Sequence, residues 1–161
     1  MASTVQSVAG DRLTAAELAA WRGFLRTHMQ VLRELDAELI AAHGLPLTSY
    51  DVLTHLESAP DRSLRMRDLA DAVLLSRSGL TRLIDRLARA GLVRRQCCAD
   101  DGRGQLAVLT DTGLAALREA RPTHLAGVRR LFLGHLAPEE IAELGSAWER
   151  IAPPAGAASK T

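Results

Sequence analysis

The chain has few aromatic residues, a single lysine and no long apolar run. Aromatic side chains make up only 3% of its 161 residues, so the core must come from leucine, alanine, valine and isoleucine. That composition predicts a mainly helical fold of one domain, with or without helical extensions. No apolar run reaches the ~18 residues of a membrane span. Residues 1–10 are small and polar, unlike a signal peptide, so we expect a cytoplasmic protein.

Cysteine is also scarce, since Cys97 and Cys98 are the only two and are adjacent. Neighbouring residues on a strand point to opposite faces, so a disulfide between them would be strained and would not form a structural framework. Two reduced thiols are therefore the favoured interpretation. The alternative is a redox sensor, because the positive charges of Arg94 and Arg95 nearby would favour a thiolate.

The motifs of catalysis and of metal binding are missing as well. The sequence has no glycine-rich phosphate loop, no candidate catalytic triad and no metal motif, and its five histidines show no tight ligand spacing. These absences predict a protein that is not an enzyme and that uses no cofactor and no metal. A small helical enzyme stays open as an alternative from a different functional class.

The most informative stretch of the chain is residues 76–104. Its apolar residues recur at the spacing of one buried helix face: Leu80, Leu83, Ile84 and Leu87. Ser76 is placed to cap this helix and Gly91 to end it. The opposite face carries the cationic and small side chains that suit a DNA major groove: Arg77, Ser78, Thr81, Arg82, Asp85, Arg86 and Arg89. With a preceding helix over about 66–73, the layout is a helix-turn-helix.

A predicted β-hairpin follows this helix and projects as a wing. Its strands, 92–96 and 105–109, flank the turn residues 100–104. An exposed Arg103 near the tip would enter a minor groove. A solvated cationic surface is the plainer alternative. However, residues 62–105 hold ten arginines against five acidic residues, whereas the whole chain has a net charge of only +1, and this concentration of charge favours DNA binding.

Long helices are predicted on both sides of the helix-turn-helix. A capping-box pattern at Thr14 begins the first, which extends to about residue 42. Thr110 begins another, which extends to about residue 136, and Pro122 either kinks it or starts a new helix. The last helix starts at Pro138 and ends near residue 151. Their apolar faces are too extensive for the central segment to cover, so we expect a two-fold dimer that places two recognition helices on one DNA face.

Two shorter elements and one histidine complete the sequence interpretation. Thr48 is expected to cap a helix over 49–58, and Leu64 to form a single short strand. His28 is the polar member of the apolar seam of the first helix. A buried histidine satisfied by a hydrogen bond is the favoured interpretation, and a small-molecule pocket or a dimer contact shared with Trp21 is the alternative.

The predicted fold class is therefore mainly α with a small β-hairpin wing: a winged helix-turn-helix dimerised through its N- and C-terminal helices. We expect residues 1–13 to be disordered and residues 153–161 to form a flexible tail. The dimerisation helices would occupy residues 14–42 and 110–152, and the DNA-binding lobe residues 43–109.

The chain resembles the MarR family of winged helix-turn-helix transcriptional regulators, in the expected order over about residues 18–151. The residues that carry the resemblance are Leu69-Ala70, Ser78-Gly79-Leu80-Thr81-Arg82-Leu83-Ile84-Asp85-Arg86-Leu87, Gly91-Leu92-Val93-Arg94-Arg95, Asp100-Asp101-Gly102-Arg103-Gly104 and Leu109-Thr110-Asp111-Thr112-Gly113. The central block is a specific signal, whereas a helix-turn-helix pattern alone would be much weaker.

The resemblance implies a triangular homodimer that binds a palindromic operator, usually as a repressor. It implies release from DNA when a small, often aromatic or phenolic, ligand enters the crevice between the dimer helices and the DNA-binding lobe. The implied DNA contacts are Ser76, Arg77, Ser78, Thr81, Arg82, Arg86, Arg94, Arg95 and Arg103. Asp101 would brace Arg103, and the ligand crevice would lie near Trp21, His28 and Tyr50.

Two further alternatives concern how such a protein would act. A redox-responsive regulator would use Cys97 and Cys98, although oxidant-sensing relatives carry a cysteine near the start of the first helix, where this chain has none. An interaction protein that does not bind DNA would have lost the cationic face, and that face is present in the sequence.

Overall fold

Helices dominate the computed structural model, which describes residues 12–73, 75–97 and 104–152. Within these ranges the elements are α1 (Ala15–His43), α2 (Leu47–Ser58), β1 (Ser63–Arg65), α3 (Met66–Ala72), α4 (Arg77–Arg89), β2 (Val93–Cys97), β3 (Gln105–Leu109), α5 (Asp111–Leu131) and α6 (Pro138–Ile151). The mainly α fold with a small antiparallel sheet is confirmed. Asp101, Arg103, Cys98 and the predicted disordered ends, apart from residues 12 and 13, lie outside the described residues.

The predicted N-terminal caps of three helices are confirmed. Thr14 and Glu17 form a reciprocal capping box at the start of α1. The Ser76 hydroxyl accepts a hydrogen bond of 3.1 Å from the Gly79 amide at the start of α4. Thr110 does the same for α5, since its hydroxyl accepts from the amide of Gly113 at 3.0 Å. A side-chain oxygen satisfies a backbone donor that the helix itself leaves free.

The predicted start of α2 is wrong by two residues. The helix begins at Leu47 rather than Ser49, and Pro46 instead of Thr48 occupies the cap position without a side-chain hydrogen bond. The missing cap is supplied from α1, because the carboxylate of Asp36 accepts a 2.8 Å hydrogen bond from the Leu47 amide. A cap donated by another helix leaves no signal in the local sequence.

Helix α5 passes through Pro122 as one element and ends at Leu131, about five residues earlier than predicted. Pro122 is exposed, so its missing N–H interrupts one bond of the helix without leaving a buried group unpaired. A single 3₁₀ turn over Leu133–His135 follows before α6 begins at Pro138, as predicted. None of the described helices combines the length and apolar character needed to cross a membrane.

The wing hairpin belongs to a three-stranded antiparallel sheet in the order β1-β3-β2. The central strand β3 pairs Ala107 with Leu64 on one side and with Arg95 on the other. The predicted short strand at Leu64 and both hairpin strands are confirmed, although β2 starts one residue later than expected. Because β1 leads directly into α3, the sheet fixes the wing to the helix-turn-helix.

The aliphatic core lies inside the lobe, where it positions α4. The four apolar residues of the predicted α4 stripe are all buried, and they pack in one cluster with the buried residues of α2 and α3. Leu53, Leu56 and Leu69 have no exposed surface. Full burial of a leucine contributes about 1.5–3 kcal/mol, so the orientation of α4 is set by its inner face.

Helices α1 and α5 pack against each other below the lobe. Gly127 allows their close approach, since a β-carbon there would lie 2.5 Å from Leu35. Two polar contacts join the same helices: the ion pair of Arg130 with Glu38, and a 2.8 Å hydrogen bond between His43 Nε2 and Thr123 Oγ1. The C-terminal half of α1 is therefore held firmly, and its N-terminal half extends beyond the lobe.

Candidate nucleic-acid interface

Helix α4 presents a polar, cationic face opposite its buried stripe. The exposed side chains on this face and at its cap include six that the sequence assigned to DNA contact: Ser76, Arg77, Ser78, Thr81, Arg82 and Arg86. The Thr81 hydroxyl donates to the Arg77 carbonyl at 2.9 Å, and Arg82 Nε lies 3.4 Å from the Ser78 carbonyl. The Thr81 hydroxyl therefore stays close to the helix backbone, and the Arg82 side chain lies back along the same face.

A cationic cleft of about 480 Å³ lies beside this helix, between β1, the start of α3 and the wing. Three arginines line it: Arg65, Arg67 and Arg77. Arg67 also pairs with Asp68 at 3.0 Å on an exposed surface, where such a pair contributes little to stability. Arg65 and Arg67 were not among the sequence-predicted contacts. The one sequence feature that could have indicated them is their position at the junction of β1 and α3. That junction faces α4 only in the folded lobe, so the local sequence does not show it.

The two arginines of strand β2 point to opposite sides of the wing. Arg94 is exposed and donates to Gln96 at 2.9 Å. Arg95 turns inward, and its side chain is 29% exposed. Its guanidinium donates to Asp85 Oδ1 at 2.6 Å, to the Thr81 carbonyl at 3.3 Å and to Gln105 Oε1 at 2.6 Å. These contacts engage Arg95 within the lobe, and its role as a DNA contact stays a prediction.

The cysteines give no further support to the redox alternative. Cys97 is a free, exposed thiol at the end of β2, and Cys98 lies outside the described residues. Redox sensing through this pair stays a prediction.

The residues predicted to line a ligand crevice fall in two places. Trp21 and His28 flank Phe24 on α1, each with a ring-centroid distance of 5.9 Å to it, and Phe24 also packs on Trp148 of α6 at 5.4 Å. An apolar groove of about 520 Å³ lies here, lined by Ala20, Phe24, Thr27, His28, Val31, Leu32, Phe132, Leu144 and Trp148. His28 is exposed in the single chain, so the favoured interpretation of a histidine buried and satisfied within this chain is wrong.

Tyr50 does not line that groove. It is 5% exposed in α2, and its ring stacks on His124 of α5 at a centroid distance of 4.4 Å. His124 Nδ1 is buried and has no hydrogen-bond partner among the described residues. Burial lowers the pKa of the His124 imidazole, and the nearby charge of Asp51 partly opposes the shift. A neutral imidazole therefore lies where the lobe meets α5.

This histidine predicts that the protein loses stability in mild acid. Its pKa in the folded state is below the ordinary value of 6.5, so the unfolded chain binds more protons between those two values. The contribution to stability is fully present above pH 6.5 and falls as pH decreases through that window, by at most about 1.4 kcal/mol per pH unit for one group. Urea unfolding between pH 7.5 and 5.5 measures the slope.

The matched variants are His124→Phe, which keeps a ring on Tyr50 but cannot be protonated, and His135→Gln at an exposed position after α5. We expect His124→Phe to flatten the slope and His135→Gln to leave it unchanged. An unchanged slope in His124→Phe would assign the acid sensitivity to other groups.

The fold and the surface together define a class of protein. A scaffold helix, a recognition helix with a cationic outer face, and a hairpin wing joined to the scaffold helix by β1 form a winged helix-turn-helix lobe. The long helices α1, α5 and α6 extend from this lobe. In DNA-binding proteins, a lobe of this kind places its second helix in the major groove.

Comparisons with known proteins identify the family. The MarR family model matches residues 43–104. AbsC, a MarR family transcriptional regulator from Streptomyces coelicolor, is 39% identical, with 89% of this chain and 96% of that chain covered and a TM-score of 0.82. Another MarR family regulator from the same organism, solved in complex with DNA, is 36% identical, with 89% of each chain covered and a TM-score of 0.84. The chain belongs to the MarR family of transcriptional regulators.

One curated relative is named as a repressor. The transcriptional repressor MprA of Escherichia coli strain K12 is 33% identical over 96 residues, which cover 59% of this chain and 54% of that protein. The alignment thus spans about half of the length of MprA.

Proposed function

We propose that this protein is a sequence-specific DNA-binding transcriptional repressor, which binds a palindromic operator as a homodimer in the cytoplasm. The observation that carries the proposal is the division of α4 into a fully buried aliphatic stripe and an exposed face of arginines and small hydroxyls. The similar regulator solved with DNA supports the partner, and the similar protein MprA supports repression.

The contacts divide by the part of DNA that they would reach. Arg77, Ser78 and Arg82 lie near the start of α4, which is the part of a recognition helix that meets base edges. Arg86, Arg94 and two arginines of the cationic cleft, Arg65 and Arg67, would bind phosphates. Phosphate contacts position the lobe and base contacts select the sequence, so both sets are needed for operator recognition.

The proposed homodimer follows from the apolar surface that a single chain leaves exposed. On α1, Met29 is 71% exposed, and on α6 Ile141 is 38% and Ile151 is 71% exposed. Large exposed apolar patches mark association sites. A two-fold axis through these helices would present two copies of α4 to one duplex.

We also propose a small, aromatic or phenolic effector. The apolar groove between α1 and α6, with Trp21 beside it and His28 in its wall, offers aromatic rings together with a polar group, the combination typical of small-molecule sites. An effector that prefers a lobe spacing unsuited to the operator would release DNA by population shift. With a known duplex, a panel of phenols and aromatic acids tests this by the change in affinity that each compound causes.

The decisive experiment is selection of bound duplexes from a random pool. We expect enrichment of a palindrome whose half-sites are about one helical turn apart, 10–10.5 base pairs between their centres. Light scattering should give a dimer for the free protein and one dimer per selected duplex. A pool that stays random after repeated rounds, with a folded dimeric protein, would contradict sequence-specific binding.

A further inference from the structure

Arg95 is unusual among the arginines of the lobe because its guanidinium is engaged on two elements at once. Asp85 and the carbonyl of Thr81 belong to α4, whereas Gln105 is the first residue of β3. Arg95 itself lies on β2, paired with Ala107 of β3. One side chain therefore joins the recognition helix to both strands of the wing.

The geometry and the burial both favour an internal role. The two contacts of 2.6 Å are short, as expected for a charge-assisted hydrogen bond to Asp85. The side chain is 29% exposed, compared with 51% for that of Asp85. The Nε atom of Arg95 is buried and has no hydrogen-bond partner within the described part of the chain. An arginine held in this way has little freedom to reach a phosphate, and its charge is largely balanced by the carboxylate.

We propose that Arg95 is a positioning residue for DNA recognition, which fixes the angle and distance between the wing and the recognition helix. The proposal rests on the function proposed above. Operator binding needs α4 in one groove and the wing over the adjacent backbone at the same time. A brace that holds the two elements in the bound arrangement removes an ordering cost from binding, although it makes no contact with DNA itself.

Arg94 provides a matched control, because it lies next to Arg95 on the same strand and is exposed. The affinity for the selected operator is measured over a range of salt concentrations for Arg95→Gln and for Arg94→Gln. A lost phosphate contact lowers the salt slope by roughly 0.9 per subunit. We expect Arg94→Gln to lower the slope, and Arg95→Gln to keep the wild-type slope with an affinity reduced roughly ten-fold at every salt concentration.

Asp85→Asn distinguishes a brace from a DNA contact by the direction of its effect at high salt. If Arg95 binds DNA, removing Asp85 frees its charge and raises affinity. If Arg95 is a brace, affinity falls, and the double variant Asp85→Asn/Arg95→Gln binds no more weakly than Arg95→Gln alone, because the same interaction is lost once. Gln105→Ala removes only the contact on β3 and gives a smaller loss, which keeps the test available if Arg95→Gln folds poorly.

Hydrogen exchange of the free protein separates this proposal from the proposed function. We expect Arg95→Gln to increase exchange of the β3 amides 105–109, and Arg94→Gln to leave it unchanged. If no duplex is bound by the wild type but this exchange difference is found, the DNA-binding function fails while the brace stands. A reduced salt slope for Arg95→Gln, or an unchanged operator affinity at every salt concentration, would overturn the positioning role.

Discussion

Replacing Gly113 with alanine is expected to destabilise the protein by about 2–3 kcal/mol, the upper end of the cost of overpacking a filled site. Gly113 is buried in the first turn of α5, where a β-carbon would lie 2.0 Å from the Leu92 carbonyl oxygen and 2.8 Å from Leu109 Cδ1. The oxygen belongs to the backbone and cannot rotate away. For a chain of this length, the change corresponds to a decrease in melting temperature of roughly 5–10 °C.

Hydrogen bonds of Thr110 hold Gly113 in this close approach to the Leu92 carbonyl. The Thr110 hydroxyl accepts from the amide of Gly113, and it lies within donating distance of the Gly91 and Leu92 carbonyls, at 2.7 and 3.0 Å. The Thr110 amide donates to the same Leu92 carbonyl at 3.2 Å. This cluster joins the end of the recognition-helix segment to the start of α5, so a shift here would separate the lobe from the long helices.

Gly145→Ala is the control for the substitution itself. Gly145 lies in α6, and an added β-carbon would meet no described atom within 4 Å. Alanine is favoured over glycine in a helix by about 1 kcal/mol, so this variant should melt at the same or a higher temperature. Calorimetry measures the melting temperature of both variants. Equal melting temperatures for Gly113→Ala and Gly145→Ala would show that the contact between Gly113 and Leu92 is not tight in solution.

The sequence predicted those parts of the structure that depend on neighbouring residues. The stripe of α4 and its cap at Ser76 follow from local spacing and hydrogen-bond chemistry. The prediction that Gly91 ends α4 in the left-handed conformation is confirmed, since its φ is 72°. Each of these features needs only residues within a few positions of one another.

The features that the sequence did not predict depend on distant partners. The cap of α2 comes from Asp36 on α1 instead of from Thr48. Tyr50 lies away from the groove that holds His28, because its ring packs on His124, which is far along the chain. Arg95 has the sequence signature of a DNA contact, and only its folded neighbours on α4 and β3 reveal that its donors are used inside the protein.

Removal of both Arg77 and Arg82 is expected to abolish tight operator binding while the fold remains intact. Both side chains are exposed on α4, so their loss leaves the buried stripe unchanged. Each lost contact to a base edge or a phosphate costs about 1–3 kcal/mol. For Arg77→Ala/Arg82→Ala the combined cost corresponds to a roughly 100-fold or larger loss of affinity, which a titration at fixed salt would measure.

A control of equal charge separates specific contacts from general attraction to DNA. Arg33→Ala/Arg129→Ala removes the same charge from exposed positions on α1 and α5, outside the lobe. General electrostatic attraction responds to net charge and is screened beyond about 8–10 Å at physiological salt, so this variant should bind nearly as well as the wild type. If the two double variants lose affinity equally, the recognition surface is not on α4. If Arg77→Ala/Arg82→Ala alone loses affinity, and loses it more for the selected palindrome than for random duplex, α4 reads the sequence.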